Sequence, residues 1–233
     1  KFLSVLLAMA MVLSLTVTSF AADTAADAKA EMAGKTVILH TNDVHGAVEG
    51  YAYIAQLKAD YEAKGAEVIL VDAGDFSQGT TYVSSTKGAD AVTMMNAAGY
   101  DVVTLGNHEF DYGMDRAKAI MKEADFPYLS CNWVDLRTGL RVLPAVKLFP
   151  AGGKWIAFVG ITTPESFTKS TPAYFMNAKQ TKYIYDILGG DDGRKLYDAV
   201  QKGIDKAKAL GADVIIGLGH LGVDPSSSPW TSE

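Results

Sequence analysis

Val68-Ile-Leu-Val-Asp-Ala-Gly-Asp-Phe-Ser-Gln-Gly79 is the stretch of this sequence that decides the fold. Its leading apolar residues predict a buried β-strand, and Asp72 and Asp75 follow where that strand ends. Carboxylates at such a position either cap a turn or bind cations. The second interpretation makes Asp75 a ligand shared by two metal ions, with Asp72 in support, because a shared anion offsets the repulsion between cations about 3.5 to 4 Å apart.

The same alternation of apolar runs and longer amphipathic stretches extends along the chain. We predict β-strands at Thr36–Leu39, Val68–Val71, Val102–Leu105, Trp155–Ile161 and Val214–Leu218. We predict helices at Gly50–Gly65, Lys87–Ala98, Asp115–Ala124 and Arg194–Leu210. Continuous apolar strands that alternate with helices indicate an α/β domain whose sheet is covered by helices.

Polar residues follow other predicted strands too, at the edge where α/β folds bind ligands. Asp43 and His45 lie two residues apart after the first strand, so in an extended segment both side chains point to one side and can share a cation. A surface loop would also produce this pair. His220 follows the last strand between glycines, where a lone His is more often hydrogen-bonded than metal-bound. The ligand-like clusters at the other strand ends favour a metal-binding role for His220.

The segment Gly106-Asn-His-Glu-Phe-Asp-Tyr-Gly113 is the densest polar cluster in the sequence. Adjacent Asn107 and His108 are expected to project in different directions, so that one binds metal while the other faces substrate. An Asn amide oxygen suits a hard or borderline cation. Asp111, three residues after His108, can orient the imidazole as in other acid–base pairs, although a structural turn is the alternative explanation.

The N-terminus predicts export. Lys1 precedes an apolar run from Phe2 to Phe20 that ends in small residues, so we interpret residues 1–22 as a signal peptide, with an uncleaved anchor as the alternative. The Ala-rich residues 23–35 are expected to form a flexible tether. The mature chain is then expected to lack a membrane span and to be secreted, periplasmic or at the cell surface.

Composition limits the classes of function. The chain is 48% hydrophobic and 21% charged, which predicts a globular domain, and its net charge of −6 argues against binding a nucleic-acid polymer. Cations bound by an acidic protein can still attract phosphate esters. Cys131 is the single cysteine and is expected to be a small buried hydrophobe. Residues 174–192 are interpreted as a surface excursion rather than a base-stacking platform or a calcium loop.

Four segments together resemble the calcineurin-like metallophosphoesterases, and within them the 5'-nucleotidase and UDP-sugar hydrolase family. They are His40-Thr-Asn-Asp-Val-His-Gly46, Gly74-Asp-Phe-Ser-Gln-Gly79, Gly106-Asn-His-Glu-Phe-Asp111 and Gly219-His-Leu-Gly222. The resemblance covers essentially Val37 to the C-terminus. It implies that residues 36–233 form a four-layer α/β/β/α sandwich metallophosphoesterase domain.

The resemblance also implies roles for individual residues. One metal would be held by Asp43 and His45, a second by Asn107 and His220, and Asp75 would bridge them. His108 and Asp111 match the catalytic pair. The cofactors would be two divalent ions, with Mn, Zn, Fe and Co all compatible with such ligands. The sequence indicates no oligomeric state.

The implied activity is hydrolysis of nucleoside 5'-monophosphates or related small nucleotides by two-metal activation of water. A 2',3'-cyclic phosphodiesterase, a UDP-sugar pyrophosphatase and, in another class, a non-catalytic metal-binding module remain alternatives. The family supplies a further Gly-His-x-His type motif shortly beyond the position matching Glu233, and a substrate-binding domain after it. We therefore expect the catalytic domain to be incomplete at its C-terminus, and this chain alone to be inactive or weakly active.

Overall fold

The computed structural model describes residues 31–223 and Pro229. The predicted signal peptide and most of the predicted tether lie outside these residues. Residues 31–34, at the end of the predicted tether, form a turn, and the Met32 N–H donates a hydrogen bond to the carbonyl oxygen of Lys64. Within the described residues, no helix has the length and apolar character needed to cross a bilayer.

The strands and helices alternate as the apolar pattern predicts. The strands are β1 Thr36–Thr41, β2 Glu67–Asp72, β3 Val102–Thr104, β4 Tyr128–Leu129, β5 Trp133–Asp135, β6 Leu140–Arg141, β7 Val146–Ala151, β8 Lys154–Ile161, β9 Tyr185–Ile187 and β10 Val214–Gly219. The α-helices are α1 Glu49–Ala63, α2 Thr81–Ser85, α3 Ala89–Ala98, α4 Met114–Glu123, α5 Ser166–Lys169 and α6 Arg194–Ala209. Two 3-10 turns lie at His108–Phe110 and Pro172–Phe175.

In the part of the chain that the structure describes, two large sheets form the centre of the fold and a small third sheet lies beside them. The first sheet is parallel, with strand order β1-β2-β3-β4. The second has the order β10-β8-β7, in which β10 runs parallel and β7 antiparallel to β8. The third has the antiparallel order β6-β5-β9. The strands β1, β2, β8 and β10 thus deliver the chain segments that follow them to the carboxyl ends of their sheets.

Three hydrophobic clusters separate four layers. Leu70 of β2 packs with Met95 and Ile120 of the helices α3 and α4, which cover the outer face of the first sheet. Between the two sheets lies a second cluster, in which Val71 of β2 packs with Phe158 of β8. The third cluster joins the outer face of the second sheet to α6. The expected α/β/β/α sandwich is confirmed.

The sequence did not predict β7 or the small third sheet. β7 contains Pro150, whose missing N–H is tolerated because β7 lies at the edge of its sheet. The surface interpretation of residues 174–192 holds for Tyr174 and Tyr183, which are exposed, but was wrong for three other apolar residues. Phe175, Tyr185 and Ile187 are all at most 4% exposed and belong to the first hydrophobic cluster. Aromatic side chains of this segment fill the core. The sequence did not predict this, because the strands here are too short and irregularly spaced to give a periodic pattern.

Candidate metal centre

One cavity of about 670 Å³ opens at the carboxyl ends of the two large sheets. Six of the seven predicted site residues line it, namely Asp43, His45, Asp75, Asn107, His108 and His220. Asp111 lies behind His108, with its Oδ2 atom 2.5 Å from the Nδ1 atom of that imidazole. The fold therefore brings the seven predicted site residues together.

The Asp75 carboxylate lies at the centre of the cluster and is only 2% exposed. Its Oδ2 atom is 3.2 Å from Nε2 of His220, 3.8 Å from Nε2 of His45 and 4.0 Å from Nε2 of His108. Its Oδ1 atom accepts the backbone N–H of His108 at 2.8 Å. Three imidazoles from three different loops thus face one carboxylate oxygen.

Asp43 supplies a second carboxylate beside Asp75. Its Oδ1 atom lies 3.6 Å from Nε2 of His45 and 4.0 Å from Nε2 of His220. Two sets of three residues, His45 with Asp75 and His108, and Asp43 with Asp75 and His220, each place their ligand atoms within 4.8 Å of one another. Asp75 is common to both sets, which is the geometry that a ligand shared by two cations requires.

Two imidazoles are oriented by backbone carbonyl oxygens. Nδ1 of His45 lies 2.9 Å from the carbonyl oxygen of Gln78, and Nδ1 of His220 lies 3.1 Å from that of Ala73. A carbonyl oxygen only accepts, so in the neutral ring Nδ1 carries the proton and Nε2 presents its lone pair to the cluster. This arrangement is common around metal-binding His residues. The residues of this cavity are therefore suited to binding a divalent cation.

Charge within the cluster shifts the pKa values of its members. Burial alone would raise the pKa of Asp75, but the hydrogen bond and charge of His220, together with His108, outweigh it and lower that pKa. Burial alone would lower the pKa of His220, but the hydrogen bond and charge of Asp75 raise it to about 9. In the same way the hydrogen bond to Asp111 and the charge of Asp75 outweigh burial and raise the pKa of His108.

The backbone of the loops around the cluster is left-handed at three of the predicted ligand positions. The φ angles are 51° at Asp43, 46° at His45 and 63° at Asp75. The expectation that Asp43 and His45 lie in an extended segment was therefore wrong, because β1 ends at Thr41 and the chain turns. The two side chains still meet, since the turn rather than strand alternation aims them at each other.

Asp72 does not line the cavity but supports its loop. It is fully buried, where its carboxylate accepts the Thr41 hydroxyl at 2.6 Å and the Gly74 N–H at 2.8 Å. Burial raises the pKa of Asp72 to about 8, against the opposing effect of these two hydrogen bonds.

Glu109, which was not singled out from the sequence, lies beneath the cluster and is only 1% exposed. Its carboxylate accepts four backbone N–H groups, from Asp75, Phe76, Ser77 and Gly106. The adjacency of Glu109 to the Asn107-His108 pair was visible in the sequence. Its hydrogen-bond partners were not, because backbone N–H groups leave no compositional signal.

Comparison with known proteins agrees with this geometry. A profile of the calcineurin-like phosphoesterase family matches residues 36–233. The chain belongs to this family. Calcineurin-like phosphoesterases use divalent metals, and the two ligand sets described above are the residues that could bind them here.

Similar members of the calcineurin-like phosphoesterase family include 5'-nucleotidases. The 5'-nucleotidase of Homo sapiens is 34% identical over 216 residues, covering 82% of this chain and 35% of the human protein. The snake venom 5'-nucleotidase of Gloydius brevicauda is 33% identical over 207 residues, covering 79% of this chain and 32% of that protein. The chain thus spans about a third of the length of these relatives.

A solved structure of a 5'-nucleotidase has a similar fold. The 5'-nucleotidase precursor from Thermus thermophilus superposes with a TM-score of 0.67 at 27% sequence identity, covering 79% of this chain and 37% of that one.

Proposed function

We propose that this chain is part of a metal-dependent phosphoesterase that hydrolyses nucleoside 5'-monophosphates or related small nucleotides. The observation that carries the proposal is the buried Asp75 carboxylate, which both potential ligand sets share. The 5'-nucleotidase relatives supply the substrate class.

The division of ligands in this proposal follows the family resemblance rather than the two geometric sets, which share only Asp75. Asp43 and His45 would hold one divalent cation, Asn107 and His220 would hold the other, and Asp75 would hold both. His108, a member of one geometric set, is assigned to the reaction instead. When bound, the cations supply Lewis-acid polarisation of the phosphoryl group and acidify a water molecule. The Asp75 carboxylate places its negative charge where the positive charges would otherwise repel each other. The carbonyl contacts of His45 and His220 keep each Nε2 aimed at its cation.

His108 is the proposed acid of the reaction. Asp111 holds Nδ1 of His108, so the opposite nitrogen, Nε2, faces the cluster. The hydrogen bond to Asp111 and the charge of Asp75 raise the pKa of His108 against the effect of burial, and both favour the protonated ring. A proton on Nε2 can stabilise negative charge on a phosphoryl oxygen or on the leaving oxygen as its bond to phosphorus breaks.

The N-terminal sequence supports a location outside the cytoplasm, as a secreted, periplasmic or cell-surface protein. Small nucleotides, rather than nucleic-acid polymers, are the proposed partners, in keeping with the acidic composition.

The test is phosphate release from AMP with added Mn²⁺ or Zn²⁺ and with a chelator. It is run on the chain and on the full-length protein that contains it, each beside its Asp75→Asn variant. Metal-dependent release that the substitution abolishes supports the proposal. Cleavage of cyclic diesters or UDP-sugars without cleavage of AMP would replace the proposed substrate. Metal binding without turnover of any of these esters would leave a non-catalytic metal-binding module.

A further inference from the structure

The carboxylate of Glu109 joins two loops that come from different strands. Oε2 accepts the N–H of Asp75 at 2.9 Å and that of Gly106 at 2.7 Å. Oε1 accepts the N–H of Phe76 at 3.1 Å and that of Ser77 at 3.2 Å. Three of the donors belong to the loop after β2 and one to the loop after β3. A single buried side chain therefore accepts hydrogen bonds from backbone N–H groups of both loops.

The two loops also bind each other directly around this carboxylate. Asp75 Oδ1 accepts the N–H of His108 at 2.8 Å, and the Ser77 hydroxyl donates to the His108 carbonyl oxygen at 3.2 Å. A Cβ atom added at Gly74 would lie 2.2 Å from the backbone nitrogen of Gly106, so the loops touch without room for a side chain. The distance between Asp75 and His108 is fixed by this contact.

We propose that Glu109 is a positioning residue of the metal centre. By holding the N–H groups of residues 75–77, it keeps Asp75 in its left-handed conformation and aims its Oδ2 atom at the three imidazoles. Through Gly106 it keeps the loop that carries Asn107 and His108 at a fixed distance from that oxygen. Glu109 itself contacts neither substrate nor cation in this proposal.

A purely structural role predicts something different. Asp101 provides the comparison, since its Oδ2 atom accepts the Leu70 N–H at 2.8 Å and binds Lys58 at 3.0 Å. Asp101 immediately precedes β3, at the end of the first sheet opposite the metal centre. Loss of either carboxylate is expected to lower stability, but only loss of Glu109 is expected to change metal binding.

The test compares Glu109→Gln with Asp101→Asn, two substitutions that each exchange a carboxylate for an amide of the same shape. In Glu109→Gln one side of the amide is an NH₂ group, so two of the four backbone donors lose their acceptor whichever way it is turned. We expect Mn²⁺ affinity, measured by titration calorimetry, to fall about 10- to 100-fold in Glu109→Gln. We expect Asp101→Asn to bind Mn²⁺ like the parent protein.

Two further measurements separate positioning from stability. Electron paramagnetic resonance of the Mn²⁺-loaded protein reports the separation of the ions, and it is expected to change in Glu109→Gln alone. In the full-length protein, kcat for AMP is expected to fall while KM changes little, because Glu109 does not contact the nucleotide. Circular dichroism shows whether each variant is folded before metal is added.

The inference rests on the proposed function for its catalytic consequence but not for its metal-binding one. If the parent protein binds Mn²⁺ without hydrolysing AMP, the proposed substrate fails while the calorimetric test of Glu109 stands. Unchanged Mn²⁺ affinity in folded Glu109→Gln overturns the positioning role. Should Glu109→Gln not fold, Glu109→Asp carries the test. It keeps the negative charge, but its shorter side chain cannot reach all four N–H groups, so Mn²⁺ affinity must fall several-fold. Parent-like affinity in Glu109→Asp overturns the proposal.

Discussion

The Oδ2 atom of Asp75 lies 3.2 Å from the Nε2 atom of His220, so one carboxylate joins the end of β2 in the first sheet to the end of β10 in the second. The two sheets pack through apolar side chains elsewhere. At this edge their contact is polar, and a divalent cation bound there would be held by both sheets. The geometry of a cation site at this edge therefore depends on how the two sheets pack against each other.

Replacing Asp75 by Asn removes the negative charge that both ligand sets share. We expect Mn²⁺ affinity to fall at least about 100-fold and metal-dependent phosphate release to fall about 1000-fold or more, since the amide cannot offset two cations. Calorimetry and a phosphate assay measure the two effects. Asp60→Asn is the control, because Asp60 is exposed on α1 and its side chain bonds to Gln56, away from the cavity. Full turnover in Asp75→Asn would falsify the shared-ligand assignment.

Replacing Asp111 by Asn lowers the pKa of His108, because the Asp111 hydrogen bond helps to raise it. Activity that needs protonated His108 is then lost at a lower pH, so the alkaline limb of the kcat profile is expected to move to lower pH. We also expect kcat to fall about 100-fold or more. Asp115→Asn, at an exposed site in the first turn of α4, is the matched control. An alkaline limb that stays in place in Asp111→Asn would exclude His108 as the acid.

Proton release is expected to accompany metal binding at neutral pH. His220 has a pKa raised to about 9 by Asp75 against the effect of burial, so it carries a proton that a cation must displace. Mn²⁺ affinity should therefore increase between about pH 6 and the His220 pKa of about 9, and level off above it. Calorimetry in buffers of different ionisation enthalpy counts the protons released. A pH-independent affinity would contradict a role for His220 as a ligand.

The metal-free protein is expected to lose stability as the pH rises from about 4 to 8. Burial raises the pKa of Asp72 from 3.8 to about 8, so over this range the folded state keeps a proton that the unfolded state releases. The stabilising contribution of this group is complete below about pH 4 and is lost as the pH passes about 8. Urea unfolding with a chelator should show a shallower loss in Asp72→Asn. Parallel pH profiles of the two proteins would count against the raised pKa.

Cys131 is expected to resist thiol reagents in the folded protein. The side chain is 1% exposed, and burial raises the pKa of its thiol to about 12. A thiolate-selective reagent should therefore label the protein only in denaturant. The urea-unfolded chain provides the control for reagent and concentration. Rapid labelling without denaturant would show that the second sheet opens from α6.

The sequence was sufficient for the parts of the fold that depend on apolar periodicity. The strands that end beside Asp43, Asp75, Asn107 and His220 were predicted within a few residues, because buried parallel strands are continuous apolar runs. Strand polarity then accounts for the convergence of Asp43, Asp75 and Asn107 at one edge of the first sheet. His220 comes from the second sheet, and its approach depends on how the two sheets pack. Burial of Cys131 was also predicted correctly.

What depends on tertiary contact could not be predicted. β7 contains Pro150, which a strand tolerates at the edge of a sheet, and that edge position is a tertiary feature. The left-handed turn at Asp43 and His45 produces no alternation of apolar and polar residues that would reveal it in the sequence. Glu109 bonds to backbone N–H groups more than 30 residues earlier along the chain, as in its contacts with Phe76 and Ser77. Every residue type except proline carries a backbone N–H group, so the sequence does not indicate which of these groups Glu109 binds.

The left-handed conformations of Asp43, His45 and Asp75 have an evolutionary consequence. Residues with a Cβ atom lose roughly 1 to 2 kcal/mol per residue in this conformation, whereas glycine adopts it freely. A laboratory selection for thermal resistance alone should therefore recover glycine at Asp43 or His45, which are more exposed than Asp75. Such variants would be more thermally stable and, under the proposed function, would lose metal binding. Under the proposed function, selection for metal-dependent activity would instead retain these two side chains.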